Sequence, residues 1–198
     1  MDSMTSKSSP GSRLRVAVVG AGVFGSWTAE HLRRAGHRVT LVDAWGPAHA
    51  RASSGGESRM TRAAYGKDEI YSRMALDSLA EWKALEKSSG LRIFVPHGVL
   101  FFTAFPDDYF RRTLEVHRRL GLPSEALGRR EMQRRFPMFD FAGVELGVWE
   151  PGFGALMARR AVQALVERFA GGGGYYVELQ AGAPASEGPL KSLRLSDE

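Results

Sequence analysis

"LRVAVVGAGVFGSWTAEHLRRAGHRVTLVD", residues 14–43, is the stretch on which the fold turns. An apolar run, Val16–Val19, leads straight into Gly20-Ala21-Gly22-Val23-Phe24-Gly25. A helical pattern follows, with Phe24, Trp27, Thr28, His31, Leu32 and Ala35 at the spacing of one face. On that face His31 reads as a packed helix residue. Gly36 stops the helix, and "HRVTLVD" is a second short strand with Val39, Leu41 and Val42, ending on Asp43.

Strand, G-x-G-x-x-G turn, helix, second strand and terminal acid together make a dinucleotide fingerprint in an α/β, Rossmann-like unit. Gly20 permits the tight turn, Gly22 lets backbone approach a pyrophosphate, and Gly25 lets helix and strand pack closely. The helix amino terminus supplies a positive pole. Asp43, 23 residues after Gly20, stands where a carboxylate accepts hydrogen bonds from an adenosine ribose, and an acid there disfavours a 2′-phosphate. The bland alternative, a βα unit that uses glycines only to turn, accounts less well for Asp43. NAD and FAD both present an ADP half to such a motif, so the fingerprint alone leaves them open.

Outward from it, residues 44–66 form a long connection with paired serines and glycines, too long for a simple βαβ return and hence a candidate site. Its glycines disfavour a helix before Ser58; beyond that the residues carrying Arg59 and Arg62 read as a basic helical turn. From spacing alone these arginines equally suit surface cations paired with Glu57 or Asp68. The next helix, from about Asp68 to Lys87, has Tyr71, Met74, Ala75, Leu79, Trp82 and Leu85 at core spacing. A strand at 98–105 precedes a helix started by Pro106-Asp107 and reaching Leu120, then a short helix at 130–135. A strand at 143–149 follows, Glu150-Pro151 reads as a turn, and a helix over 155–170 puts Ala158, Ala161, Val162, Leu165 and Phe169 on one side. "YYVELQ" is a further strand, and the final stretch looks like the start of another that lacks its partner, so the chain reads as incomplete relative to its fold.

Composition narrows the function classes. With 43% hydrophobic and 25% charged residues the 198-residue chain is ordinary globular protein, and it has no apolar run long enough to span a membrane. A net charge of +5 and a pI near 9.8 raise nucleic acid as a partner, but the arginine doublets are scattered and interleaved with acids, so solvated helix faces are the better reading. Zero cysteines exclude disulfides and thiolate sites, and the five histidines show no metal spacing. Residues 1–13 are polar and Ser-rich, without a secretory core, and are expected to be a disordered tail rather than a transit peptide.

"GAGVFGSWTAEHLRRAGHRVTLVDAWGPAHARASSGGESRMTRAAYG", residues 20–66, followed by "GVLFF" at 98–102 and "WEPGFGAL" at 149–156, resembles the amino-terminal half of the monomeric sarcosine oxidase and N-methyltryptophan oxidase family. These are flavin-dependent amine and amino-acid oxidases of the D-amino-acid oxidase superfamily. The resemblance implies FAD, held by Gly20, Gly22, Val23, Phe24, Gly25, Asp43 and Ala44. It implies that Ser53, Ser54 and Gly56 lie along the isoalloxazine and ribityl region, that Arg59 lies against the flavin ring, and that Arg62 holds the substrate carboxylate. Ala183 aligns loosely with a position contacting adenine. Some family members have histidine at Gly55, so substrate preference does not carry over. The family's flavin-linking cysteine, oxygen-activating lysine and second carboxylate-binding lysine belong to its other half, and a cysteine-linked flavin is impossible in this chain.

The expectation is therefore a glutathione-reductase-like FAD domain of residues 14–90 and 145–198, with 91–144 forming part of an α+β substrate domain. The implied reaction oxidises the C–N bond of a secondary or primary amine or amino acid with O2, giving imine or aldehyde and hydrogen peroxide. A non-catalytic FAD-binding fragment and an NAD-dependent dehydrogenase are the competing readings. Neither a nucleic-acid nor a membrane partner is expected. The expected location is cytoplasmic, or peroxisomal in a eukaryote.

Overall fold

The computed structural model describes residues 13–105, 107–184, 188 and 191–196; most of the expected tail and Pro106 lie outside them. In chain order the elements are β1 (Arg15–Val19), α1 (Val23–Arg34), β2 (Arg38–Asp43), β3 (Arg59–Thr61), α2 (Glu69–Ser89), β4 (Phe94–Val95), β5 (Val99–Thr103) and α3 (Asp108–Arg119). They continue with β6 (Glu125–Gly128), α4 (Arg129–Arg135), β7 (Leu146–Glu150), β8 (Gly154–Leu156), α5 (Ala158–Gly171), β9 (Tyr175–Glu178), β10 (Gln180–Ala181) and β11 (Leu195–Ser196). Two compact units divide the chain, the first ending at Gly55 and resuming at Val162, the second running from Gly56 to Ala161. The expected boundaries lay near 90 and 145; α2, assigned from sequence to the dinucleotide domain, instead meets β4 and α3 in the second unit.

In the first unit β1, β2 and β9 form a parallel sheet in the order β1-β2-β9, with Val16 opposite Val39 and Val18 opposite Leu41. Ala21, Ala29, Val39, Leu41, Val166 and Phe169 form its core. The helix face expected from sequence is corrected here: Phe24, Thr28, His31 and Ala35 are exposed, and α1 buries Ser26, Ala29 and Glu30. Burying small residues brings the helix close to the sheet, and the aromatics are displaced outward, His31 stacking on Trp27 at 5.3 Å. Glu30 is buried because three arginines meet it. Arg33 and Arg34 reach it at 2.8 and 3.0 Å from the next turn, and Arg168 of α5 at 3.3 Å. The last strand, expected to be unpaired, pairs antiparallel with β10.

The second unit holds two antiparallel three-stranded sheets, in the orders β3-β8-β4 and β5-β7-β6. Ala63, Leu79, Phe94, Val99 and Phe153 pack in one cluster, and Leu127, Met132 and Phe141 in another. Helix α2 stops where Gly90 takes a left-handed conformation, and α3 is capped by Asp107, whose carboxylate accepts from Phe110 N at 3.1 Å. Three sequence expectations change. Residues 59–61 are a strand, not a helical turn, because β8 pairs with them: Arg59 lies opposite Leu156 and Thr61 opposite Gly154. That pairing also delays α5 to Ala158, three residues later than expected. On α2, Leu79, Trp82 and Leu85 are buried as expected, but Tyr71 and Met74 are more than half exposed.

Candidate functional site

The first unit carries the glycine turn. Gly20 takes φ +102°, a conformation that favours glycine, and its N–H donates to Val42 O at 2.7 Å. A Cβ built on Gly25 would sit 1.8 Å from Gly20 O, so the turn and the first helical turn are in backbone contact. At Gly22 the situation is reversed: a Cβ there meets nothing nearer than Ser54 Oγ at 3.9 Å. Space is thus left open in front of Gly22, and the buried Ser54 hydroxyl beside it has no hydrogen-bond partner among the described residues. Helix α1 begins at Gly22 without a side-chain cap and has no acid in its first turn. Open space, uncapped N–H groups and a buried hydroxyl lacking a partner fit the pyrophosphate of a dinucleotide.

Asp43 ends β2 and is 7% exposed. One oxygen accepts from Ala21 N at 2.7 Å and the other from Trp45 N at 2.9 Å, so this acid pins the glycine turn to the connection that follows β2. Ala44 and Val23 are half-buried, while Phe24 is 85% exposed. Gly55 is packed tightly, since a Cβ there would approach His49 O to 2.3 Å. Ser53 and Ala183 are exposed.

The second unit carries the two arginines. Arg59 is exposed on β3; its guanidinium donates to Ser58 O at 3.0 Å and lies where a side chain on Gly56 would have to go. Arg62, just past β3, is half-buried between aromatic rings, its Cζ 4.9 Å from the centre of Tyr65 and 5.4 Å from that of Phe101. Its Nη1 donates to Ala64 O at 2.9 Å, with Tyr109 Oη at 3.5 Å. Among the described residues no acid comes within 4.0 Å of Arg62, whereas Arg33, Arg73, Arg111, Arg119, Arg134 and Arg135 all pair with acids. Arg62, Tyr65, Tyr71, Met74 and Trp82 line a groove of about 290 Å³.

Beneath Arg62 lies a buried polar network that the sequence did not disclose. Ala63 and Ala64 are fully buried, and their polar groups are met by side chains from three elements. Glu150 at the end of β7 accepts from Ala63 N at 2.8 Å. Ser72 of α2 donates to Ala63 O at 2.7 Å, and His117 Nε2 of α3 lies 3.0 Å from the same oxygen. Tyr109 Oη donates to Ala64 O at 2.6 Å. Glu150 and His117 are each 1% exposed and 3.7 Å apart. Burial pushes the Glu150 carboxyl up to about 7, with the Ala63 amide and the Arg62 charge pulling the other way. Burial lowers His117, so it stays neutral with Nε2–H directed at Ala63 O. Glu150 had read only as a turn residue; the turn begins at Pro151.

Among the described residues, no group of three or more His, Asp or Glu side chains could hold a metal, and no helix is long and apolar enough to cross a membrane. The chain is 33% identical over 153 residues to monomeric sarcosine oxidase from Bacillus sp. (strain B-0618), covering 77% of this chain and 39% of that protein. It is 29% identical over 150 residues to N-methyl-L-tryptophan oxidase from Yersinia pestis (strain Pestoides F), covering 76% and 40%. The chain thus spans about two fifths of the length of these curated relatives. Its fold matches L-proline dehydrogenase from P. horikoshii with TM-score 0.74 at 22% identity, over 86% of this chain and 45% of that one. Glycine oxidase from Bacillus cereus matches with TM-score 0.63 at 21% identity, over 88% and 48%. The model of the DAO family, described as FAD dependent oxidoreductase, matches residues 15–182. With that match over most of the chain, joined to a glycine turn shaped for a dinucleotide, the protein belongs to the DAO family of FAD-dependent oxidoreductases, whose cofactor is FAD.

Proposed function

We propose that this chain contributes the FAD-binding turn and the carboxylate clamp of an amine or amino-acid oxidase, with Arg62 binding the substrate carboxylate. The single observation that carries this reading is the state of Arg62. Its guanidinium lies between two rings, with only a carbonyl and a phenol as hydrogen-bonding neighbours and no acid at ion-pair distance among the described residues. A half-buried guanidinium with one face of its fork uncommitted suits a bidentate carboxylate, and the rings around it exclude water that would compete.

When bound, FAD would supply the redox chemistry: it would accept one hydride equivalent, two electrons and a proton, from the carbon bearing the amine, and pass the two electrons to O2, which with two protons becomes hydrogen peroxide. The substrate is left as an imine that water hydrolyses. The chain's own residues bind and orient. Gly22, the first turn of α1 and Ser54 take the pyrophosphate, Asp43 and Ala44 the adenosine ribose side, and Arg59, Ser53 and Gly56 the flavin side. Arg62 fixes the carboxylate and thereby limits the orientations open to the substrate.

The test is to load the protein with FAD, record flavin absorbance, and measure peroxide release from N-methyl amino acids. Arg62→Ala is expected to raise KM for carboxylate-bearing amines by roughly 100-fold, the loss of a charge-assisted pair of about 3 kcal/mol, with kcat changed far less. An unchanged KM removes the clamp role. A protein that stays colourless with FAD but binds NADH overturns the flavin reading. Flavin binding without peroxide release favours a non-catalytic FAD-binding chain.

A further inference from the structure

We infer that Glu150 and His117 are positioning residues, which set the guanidinium of Arg62 by holding the N–H and the carbonyl of Ala63 from adjacent positions 3.7 Å apart. This deepens the carboxylate-clamp reading and rests on it. The segment from Arg62 to Gly66 runs off the end of β3, where ladder pairing with β8 stops at Thr61. Buried backbone beyond a ladder must find other partners, and here side chains supply them. Glu150 holds the Ala63 N–H at 2.8 Å; Ser72 and His117 hold the Ala63 carbonyl at 2.7 and 3.0 Å; Thr113 Oγ1 accepts from Gly66 N at 3.0 Å. Three elements, β7, α2 and α3, are tied to one short segment.

The consequence falls on Arg62 because its own contacts are to this segment. Its Nη1 donates to Ala64 O, and Tyr65, one of the two rings that bracket it, is the next residue. Rotating the Ala63 peptide moves the carbonyl that Arg62 leans on and the ring beneath it together. Among the described residues, Glu150 is the side chain that bonds Ala63 N, and it comes from β7, the strand that also pairs with β5, where the second bracketing ring Phe101 sits opposite Val148. One carboxyl thus links the two walls of the bracket. Neither Glu150 nor His117 has any described contact that would place it against substrate, which makes their role indirect.

The experiment reads Arg62 directly. In the full chain, the Arg62 side-chain resonances, assigned by their loss in Arg62→Lys, should be displaced upfield by the ring currents of Tyr65 and Phe101. Glu150→Ala is expected to abolish that displacement, and Glu150→Gln, whose amide oxygen still accepts from Ala63 N, to retain it. Titration with benzoate gives the second readout: affinity should fall about tenfold in Glu150→Ala and hold in Glu150→Gln. Should the alanine variant fail to fold, Glu150→Asp, which withdraws the acceptor by one methylene, and Ser72→Ala are read the same way. A folded Glu150→Ala or Glu150→Asp with the upfield displacement intact overturns the inference. Benzoate affinity unaffected by Arg62→Lys would instead remove the carboxylate reading, while the resonances would still decide whether Glu150 sets Arg62.

Discussion

At the scale of single residues, two positions show what a sequence can and cannot disclose. Gly25 was legible because its role is steric and local: the third glycine of the fingerprint has backbone where its Cβ would be, 1.8 Å from Gly20 O. Gly25→Ala is therefore expected to cost about 1–3 kcal/mol in urea unfolding, since carbonyl and helix must separate to admit a methyl group. Glu150 was illegible, because nothing in its neighbours announces that Ala63, far away in sequence, presents an N–H to it in a dry interior. Its titration gives a second prediction. The folded-state pKa near 7 exceeds the ordinary 4.5, so between these values the folded state binds more protons than the unfolded chain. Its stabilising share is present below about pH 4.5 and is lost as pH rises to about 7, on the order of 3 kcal/mol in all. His117 works in the opposite sense: burial lowers its pKa, so its share is lost as pH falls below 6.5. Unfolding of the wild type and Glu150→Gln, compared from pH 4.5 to 7.5, should show the variant gaining on the wild type as pH rises; a constant difference removes Glu150 as the titrating group.

At the scale of elements, the βα unit was readable in outline while its faces were not. The limits of β1, α1 and β2 followed from the apolar run, the glycines and Gly36, which act within a few residues. Which side of α1 faces the sheet depended on Glu30, a residue that any hydropathy pattern assigns to solvent. It is admitted because burial, which opposes its charge, is outweighed by hydrogen bonds from Arg33 and Arg34 and by the charges of Arg33 and Arg168. The carboxyl accordingly stays below its ordinary range. Glu30→Gln is expected to destabilise the fold by about 2 kcal/mol, since it leaves three arginines gathered around a neutral group. With a depressed pKa, the contribution of Glu30 is present above pH 4.5 and lost as pH falls through the folded value. Acid titration of the variant should therefore lack that part of the wild-type loss. The short strand β3 was missed for the converse reason: three residues of mixed polarity have no period of their own and become a strand only because β8 pairs with them. Its strand geometry sends Arg59 and Met60 to opposite faces, which a helical turn would not do.

At the scale of the whole molecule, cofactor and fold are one thermodynamic problem. The groups that the proposed reading assigns to FAD are ones only the folded chain gathers: the N–H groups of α1, the Ser54 hydroxyl beside Gly22, and an Asp43 carboxylate that fastens the turn to the loop. A ligand bound by the folded and not the unfolded state stabilises by RT ln(1 + [L]/Kd), about 2.7 kcal/mol at 100 times Kd. For a chain of 198 residues each kcal/mol raises Tm by roughly 2–4 °C, so saturating FAD should raise it by roughly 5–10 °C. NAD shares only the ADP half and should give a markedly smaller rise at equal concentration. The Gly25→Ala variant separates the turn from general stability: its starting Tm is lower, and its FAD-dependent rise should also shrink, because the distorted turn no longer presents its N–H groups to the pyrophosphate. Arg62→Ala, which leaves the glycine turn untouched, should keep the full rise while losing benzoate binding. If Gly25→Ala gained as much from FAD as the wild type, the turn would not be where the dinucleotide binds, whatever the resemblance of its sequence.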